Sequence, residues 1–489
     1  MPKLMEPPLC SPVEPVTEVL HGMAVTDPYR WLEDQDSPRT RAWIEEQTFY
    51  ARNYLDSIPG RDHIRERIRE LLAVETYDSL QKAGNRYFFR KRLADEEQAS
   101  IYMREGEGGE DSLLIDPAAE GAGKFTSVKL LRVSPDGHFV LYEVKEGGER
   151  TGIFRLLETK TGTKLADALP RGILRGFVFA RDGKSFYYSH EPVEATLPFY
   201  RAAYRHEIGT AFSEDEEVFS AGEDKRLRLF ILGEDPNLGI LVNKCFDSTC
   251  TDFYLRSFDK DSLPIRILAD ARYLFEPSLV NGHIFALTDR DAPNLRIVEV
   301  LAQTSEEPRF IEMVPERDAR IGQWAVVRDR IFASYTKNGT TEIREYDFCG
   351  RKTGEVPIRD AETARLVGPH GEDLTFEAES FAEPISIWRY SPKDGGRKLW
   401  AQKTVPFNSA NYTHRRVWYT SKDGTQIPMF LMGHRDIIES GTHPAIMTSY
   451  GGFGASVMPQ FSFFVAFLVE RGCLFALPSI RGGADFGAG

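Results

Sequence analysis

Two glycine loops near the end of the chain carry residues that could do chemistry. Residues 450–454 (Tyr-Gly-Gly-Phe-Gly) follow the short apolar run 445–447, and Arg481, with Gly482 and Gly483, follows the apolar run 473–477. Sites in α/β sheets form in the loops at the carboxyl ends of the strands. A phenol, whose ordinary pKa is near 10, stays protonated at neutral pH and can donate to a developing oxyanion. A tyrosine that ends a strand with its ring buried would have the same pattern.

The elements around these loops predict the opening of an α/β sheet over residues 403–489. Two strand-like runs, 417–419 and 427–432, flank the turn residues Lys422-Asp423-Gly424, and a helix is predicted over 460–470 between the two glycine loops. The order of strand, glycine loop, helix, strand and glycine loop is typical of an α/β fold.

A recurring unit fills residues 74–402, in which a turn precedes a short aromatic or aliphatic strand. Seven such turns occur, at Gly84, Gly137, Gly183, Asn237-Leu238-Gly239, Gly282, Asp329 and Gly371. From Gly84 to Gly371 the mean period is about 48 residues, which is typical of a β-propeller blade. The sequence therefore predicts a seven-bladed β-propeller, with one or two long β-sandwiches as the alternative.

Residues 1–73 form a third zone, with an extended, proline-rich start followed by helical signals. Ser37-Pro38 has the pattern of an N-cap followed by proline at the first helical position. A second helix is predicted after Gly60, because Ile64, Ile68 and Leu71 recur at helical spacing.

Composition narrows the function classes. The 489 residues contain 74 acidic and 61 basic side chains, a net charge of −13, which disfavours binding to nucleic acid or to an anionic membrane surface. The five cysteines are sparse, and Cys245 and Cys250 have no second Cys or His cluster to complete a zinc site. With no signal peptide pattern at the N-terminus and no apolar stretch of membrane-spanning length, we expect a cytoplasmic protein without a metal or cofactor.

Four motifs, in order along the chain, resemble the prolyl oligopeptidase family of serine peptidases. Asp27-Pro28-Tyr29-Arg30-Trp31-Leu32-Glu33-Asp34, preceded by His21-Gly22, resembles the N-terminal signature of the family. Residues 421–430 resemble the strand pair that opens its hydrolase domain. Residues 450–453 and 480–483 resemble two glycine loops of that domain. The likeness spans the chain from end to end.

The resemblance implies a fold and a role for three residues. Residues 1–73 would be an N-terminal extension that belongs with the hydrolase domain, residues 74–402 a seven-bladed propeller that restricts access to short peptides, and residues 403–489 the beginning of an α/β-hydrolase domain. Tyr450 matches the tyrosine that helps to form the oxyanion hole. Phe453 matches a wall of the pocket for the substrate proline, with ordinary core packing as the alternative. Arg481 lies in a loop near the active site, where a local carboxylate or carbonyl partner competes with substrate contact.

The catalytic triad that such an enzyme needs is not found in the 489 residues. An α/β-hydrolase places its serine in G-x-S-x-G, followed along the chain by an acid and then a histidine. No G-x-S-x-G occurs, and the last histidine, His443, precedes Tyr450. We therefore expect an inactive fragment whose natural partners would be the missing C-terminal part of the hydrolase domain and short proline-containing peptides.

Two other interpretations stay open on the sequence. One is a truncated propeller that serves only as a binding module. The other is a relative such as oligopeptidase B, which cuts after basic residues, or an acylaminoacyl peptidase. The apolar Phe453 favours a proline-specific enzyme over these relatives.

Overall fold

A computed structural model describes most of the chain, in ten stretches. These are residues 10–121, 125–193, 201–224, 226–234, 237–244, 250–258, 262–302, 308–337, 339–370 and 372–483. The chain divides into two compact units, Met1–Glu70 and Leu71–Gly489. Among the described residues, no helix combines the length and apolar character that crossing a bilayer requires.

The first unit contains a hairpin and helical segments. The hairpin turns at His21 and Gly22, both at positive φ. Ser37 caps helix α1 as predicted: its side chain accepts a hydrogen bond from the Thr40 amide, and Pro38 is the first helical residue. The elements are β1 (Val16–Leu20), β2 (Met23–Asp27), a 3₁₀ turn (Arg30–Glu33), α1 (Pro38–Asp56) and α2 (Arg61–Leu72), which ends just inside the second unit.

Antiparallel sheets of consecutive strands make up most of the second unit. Strands β3–β6 form the first sheet: β3 (Thr76–Ala83), β4 (Arg86–Arg92), β5 (Ser100–Glu105) and β6 (Asp111–Ile115). Strands β7–β13 form a seven-stranded sheet: β7 (Ser127–Val133), β8 (Phe139–Lys145), β9 (Gly152–Glu158), β10 (Thr163–Phe179), β11 (Ser185–Pro192), β12 (Ala202–Glu207) and β13 (Glu216–Ser220). The long β10 pairs with β9 through its first part and with β11 through its second.

Four further four-stranded sheets follow, each again made of consecutive strands. Their strands are β14 (Arg228–Glu234), β15 (Asn237–Asn243), β16 (Thr251–Ser257), β17 (Ile265–Ala271); β18 (Phe275–Val280), β19 (His283–Thr288), β20 (Arg296–Leu301), β21 (Arg309–Val314); β22 (Arg320–Val327), β23 (Arg330–Lys337), β24 (Thr340–Asp347), β25 (Lys352–Val356); β26 (Thr363–His370), β27 (Asp373–Glu379), β28 (Ser386–Tyr390) and β29 (Arg397–Gln402). The number of sheets fits a propeller.

Five of the predicted turns connect neighbouring strands of these sheets. Those at Gly84, Gly137, Gly282 and Asp329 each join the first strand of a sheet to the second, and that at Gly183 joins β10 to β11 within the seven-stranded sheet. The prediction at Asn237-Leu238-Gly239 was wrong, because these residues pair as part of β15, and their apolar neighbours favour the strand over the turn. Gly371 lies outside the described residues.

Hydrophobic clusters join each sheet to the next. Phe88 and Ile101 of the first sheet pack with Val140 and Tyr142 of the second, and the series continues around to the last sheet. There Ile387 packs with Leu80, Tyr87 and Phe89 of the first sheet. The Trp400 ring, from the last sheet, lies 5.8 Å from that of Phe89. The first and last sheets are therefore held together by side chains, which closes the ring.

The C-terminal sheet has a different topology. Its strands are β30 (Tyr412–Thr420), β31 (Gln426–His434), β32 (Ala445–Met447) and β33 (Leu474–Pro478), in the order β30-β31-β33-β32. β32 and β33 are parallel and are connected through helix α3 (Phe463–Glu470). The helix begins three residues later than predicted because Ser462 is its N-cap, accepting a hydrogen bond from the Val465 amide.

Candidate functional site

The two glycine loops meet at one edge of the C-terminal sheet. Because β32 and β33 are parallel neighbours, their carboxyl ends lie side by side. The Gly454 amide donates to the Gly482 carbonyl at 2.8 Å, and Gly454 pairs with Gly483 in an isolated parallel bridge. The structure thus brings together two segments that are about 30 residues apart in the chain.

Glycine is required at two points of this contact. A Cβ on Gly451 would lie 2.3 Å from the Arg481 carbonyl oxygen, and one on Gly482 would lie 1.8 Å from the Gly451 carbonyl oxygen. Gly482 also has φ +87°, a conformation that favours glycine. The need for glycine at Gly482 depends on the meeting of the two loops, so neighbouring residues in the sequence do not indicate it.

Tyr450 and Phe453 are both exposed. Tyr450 is 53% exposed in this chain, and its hydroxyl lies beside Gly452. Phe453 is fully exposed and has φ +57°. A bulky residue at positive φ is strained, and such strain is common at functional sites.

Arg481 has a local carboxylate partner. Its guanidinium forms an ion pair with Asp423 and donates to the Thr425 hydroxyl at 3.0 Å. Asp423 lies in the turn between β30 and β31. The hydrogen bond from Arg481, assisted by the Thr425 amide, lowers the pKa of the Asp423 carboxyl to about 2. Both side chains remain more than half exposed, so the pair anchors Arg481 without burying it.

The segment that follows the first loop is fastened to the last propeller sheet. Thr363 donates from its hydroxyl to the Pro459 carbonyl at 2.6 Å, and the Phe461 amide donates to the Glu379 carboxylate at 3.1 Å. The Lys403 ammonium lies 4.4 Å from the centre of the Phe463 ring. These contacts hold the segment after the loop against the propeller.

A cavity of about 420 Å³ lies between this segment and the propeller. Gly454, Ser456, Met458 and Gln460 line one side, and residues of strands β18, β19, β22, β23, β24 and β26 line the other. Its charged lining side chains are Glu276, Arg320 and Arg365. Burial raises the pKa of the Glu276 carboxyl, although Arg320 opposes the effect. Sequence reasoning missed these residues because they come from separate strands and belong to no motif.

A metal site is not evident in the described part of the chain, where no group of three or more His, Cys, Asp or Glu side chains is arranged to hold an ion. Cys245, considered above with Cys250, lies outside the described residues. The four described cysteines, Cys10, Cys250, Cys349 and Cys473, are free thiols.

Comparison with known proteins gives one consistent result. A sequence model of a protein family, described as "Prolyl oligopeptidase, N-terminal beta-propeller domain", matches residues 8–403. Prolyl endopeptidases from Elizabethkingia meningoseptica and Elizabethkingia miricola are 26% and 28% identical, over 96% of this chain and 68% of each relative. A solved structure from a study of two prolyl endopeptidases has a TM-score of 0.87 and 27% identity, over 98% of this chain and 72% of that one.

Proposed function

Since the chain belongs to the prolyl oligopeptidase family, we propose that it forms the propeller and the first part of the hydrolase domain of a serine endopeptidase that cleaves short peptides after proline. The observation that carries the proposal is the meeting of the two glycine loops at one sheet edge, beside a cavity shared with the propeller. Loops at the carboxyl ends of parallel strands are the usual place for such a site.

The proposed domain layout keeps the sequence boundaries: an extension over 1–73, a seven-bladed propeller over 74–402 and the start of an α/β-hydrolase domain over 403–489. If the long β10 is counted once with β7–β9 and once with β11–β13, the seven-stranded sheet becomes two four-stranded groups. Together with the five other propeller sheets, this makes seven groups. The cluster that includes Leu156, Phe177 and Phe186 packs the two parts of that sheet against each other, as the other clusters do between separate sheets. This packing supports seven blades.

In the proposed mechanism, Tyr450 donates its phenolic hydrogen to the oxyanion that forms on the scissile carbonyl. The exposed ring of Phe453 offers a flat apolar wall to the substrate proline. Arg481 contacts the substrate with the N–H groups that its bonds to Asp423 and Thr425 leave available, since a guanidinium has five.

The nucleophile, acid and histidine are proposed to come from sequence outside these 489 residues, because no G-x-S-x-G occurs within them. The chain alone would then be inactive. We also propose a cytoplasmic location, which its free thiols support.

The first test compares the 489-residue chain with the native gene product. The native product is expected to exceed 55.5 kDa in intact mass, to react with a fluorophosphonate probe and to cleave proline substrates in preference to arginine substrates, whereas the chain alone does not react. Stoichiometric labelling of the chain alone would contradict the proposal, and preference for arginine would favour the oligopeptidase B interpretation.

The second test addresses Tyr450. In the native product, Tyr450→Phe is expected to lower kcat by about 10²–10³-fold, the usual cost of losing one oxyanion donor. Tyr419→Phe, another exposed tyrosine but in the β30–β31 hairpin, is the matched control and should leave kcat unchanged. Equal effects of the two changes would remove Tyr450 from the mechanism.

A further inference from the structure

A second cavity, lined entirely by propeller residues, has an unusual charge. Its volume is about 550 Å³, and strands β7, β8, β10 and β14 contribute to its lining. Five cationic side chains line it, Lys129, Arg132, Lys145, Arg150 and Arg175, against the single carboxylate of Glu143. We call these five residues and their cavity the cationic pocket.

Only part of this positive charge is neutralised locally. Lys145 lies 3.3 Å from Glu143, and Arg175 forms a bidentate pair with Glu191 at 2.9 Å. Within the described residues, the structure gives no carboxylate partner to Lys129, Arg132 or Arg150. All three are exposed residues of the pocket lining.

The positive charge of the cationic pocket differs from the charge of the rest of the chain. The chain as a whole carries a net charge of −13, so an anionic peptide is repelled by most of its surface. In the cavity beside the glycine loops, by contrast, positive and negative charges are balanced. Glu276 accompanies Arg320 in its lining, and Arg365 forms an ion pair with Glu379. A concave site lined by one sign of charge focuses the field and concentrates ligands of the opposite sign.

The pocket also has room for more than a single ion. Its lining includes the apolar side chains of Leu131, Ile173, Leu174 and Ile231. It shares Arg132, Gly176, Phe177 and Ile231 with a neighbouring cavity of about 770 Å³, so the two meet beside Arg132. An extended peptide, with apolar and anionic side chains, fits such a surface better than a small inorganic anion does.

We infer that the cationic pocket binds carboxylate groups of peptide substrates, so that this protein favours acidic peptides among those that contain proline. The inference rests on the proposed function and adds a preference to it. Lys129, Arg132 and Arg150 supply the attraction, and the carboxylate comes either from Asp or Glu side chains or from the free C-terminus of the peptide.

The experiment measures peptide binding to the 489-residue chain by calorimetry. Four short peptides share one proline and differ only in charge: Glu side chains with a free C-terminus, Glu with an amidated C-terminus, Gln with a free C-terminus, and Gln with an amidated C-terminus. An exposed ion pair contributes about 0.2–1 kcal/mol, which corresponds to about 1.5- to 5-fold in Kd for each carboxylate. The fully acidic peptide should therefore bind about tenfold more tightly than the neutral one, and added salt should remove the difference.

Matched variants assign the effect to the pocket. The triple variant Lys129→Gln, Arg132→Gln, Arg150→Gln should abolish the preference and leave neutral peptide binding unchanged. The control Lys160→Gln, Arg309→Gln, Lys398→Gln removes the same charge from exposed residues outside the pocket and should retain the preference. Circular dichroism and thermal unfolding verify that both variants fold.

The outcomes separate this inference from the proposed function. If the neutral peptide binds and acidic peptides bind no better, or if both triple variants lose the preference equally, the pocket assignment is overturned while the proposed function stands. If no proline peptide binds the chain, the pocket assignment is overturned, whereas the proposed function is judged separately by labelling and cleavage with the native gene product. The two mixed peptides identify which carboxylate the pocket recognises.

Discussion

Strands β23 and β32 contain similar apolar triplets but are buried to very different degrees. Ile331, Phe332 and Ala333 in β23 are fully inaccessible, at 0% exposure each. In β32, Ile446 is 37% exposed and Met447 66%. The difference arises because β23 is an inner strand of a sheet covered by neighbouring propeller sheets, whereas β32 is an edge strand among the described residues.

The two strands belong to regions with different roles: the propeller contributes most of the buried core, and the C-terminal sheet carries the candidate site. The propeller sheets cover one another, so their apolar residues contribute fully to the core. The C-terminal sheet leaves exposed the edge that carries Tyr450, Phe453 and Arg481. We therefore expect substitutions of buried propeller residues to act mainly on folding and substitutions of the exposed side chains at the sheet edge to act mainly on the site.

The largest contrast is expected between two phenylalanines. Phe332→Ala should reduce the free energy of unfolding by about 3–5 kcal/mol, since it opens a cavity in a fully buried cluster where Phe332 also contacts the Tyr390 ring. Phe464→Ala in α3, where the side chain is 56% exposed, should cost about 0.5 kcal/mol. Urea unfolding of the two variants measures both, and equal losses would contradict the division between the regions.

A buried charge in the propeller gives the next largest effect. His206 is inaccessible, with Nε2 2.8 Å from Asp167 and Nδ1 2.7 Å from Asp215. Burial alone would lower the pKa of His206, but the hydrogen bonds to Asp215 and Asp167 outweigh it and the pKa is raised. The second oxygen of Asp215 accepts from the Tyr188 hydroxyl at 2.7 Å. Because a carboxylate lies within hydrogen-bond distance of each ring nitrogen, the geometry favours the doubly protonated ring, in which both nitrogens of His206 donate.

His206→Gln is expected to destabilise the protein by about 3–5 kcal/mol, since it leaves two buried carboxylates without their cation. The raised pKa fixes the sign of the pH dependence: the stabilisation is complete below the ordinary histidine value of 6.5 and is lost as the pH rises through the folded-state pKa. Urea midpoints of the wild type and of His206→Gln should therefore converge with increasing pH. A gap that widens at high pH would show that His206 is neutral in the fold.

The sequence predicted the parts of this fold that depend on neighbouring residues. Ser37-Pro38 marked a helix start, and the turns at Gly137 and Gly282 marked hairpins, because capping and turn conformations are decided within a few residues. The turn assigned to Asn237 failed because strand pairing on both sides overrides a weak local preference. Turn signals alone also could not show how the sheets pack.

For the site, the sequence indicated the two loops but not what surrounds them. Asp423 is 58 residues from Arg481 in the chain, and Arg320 and Arg365 come from different propeller strands. Such partners are set by tertiary packing and leave no periodic signal. The roles of Tyr450, Phe453 and Arg481 remain predictions, and the Tyr450→Phe experiment tests the first of them.

A smaller effect tests the contact between the glycine loops. Gly482 and Gly424 have nearly equal positive φ angles, +87° and +88°, but only Gly482 has a backbone oxygen where a Cβ would lie. Gly424→Ala should cost about 1–2 kcal/mol from conformational strain alone. Gly482→Ala should cost about 1–2 kcal/mol more, because the loops must separate. Urea unfolding gives the difference, and equal costs would mean that the loops do not touch in solution.

The smallest effect on stability is expected for the Arg481–Asp423 ion pair. This pair is exposed at the sheet edge, whereas the ion pairs of His206 are buried in the propeller. The lowered pKa of Asp423 means that its stabilising contribution is present above the ordinary aspartate value of 3.8 and is lost as the pH falls towards 2. Because both side chains are exposed, we expect little change in unfolding between Asp423→Asn and the wild type. The titration itself is the informative measurement: carboxyl NMR should give Asp423 a midpoint near 2, and Arg481→Gln should return it towards 3.8. A wild-type midpoint already at the ordinary value would mean that the turn does not hold Arg481. All of its N–H groups would then be available to a ligand, and the charged groups at the sheet edge would lack the fixed partners that His206 has in the propeller.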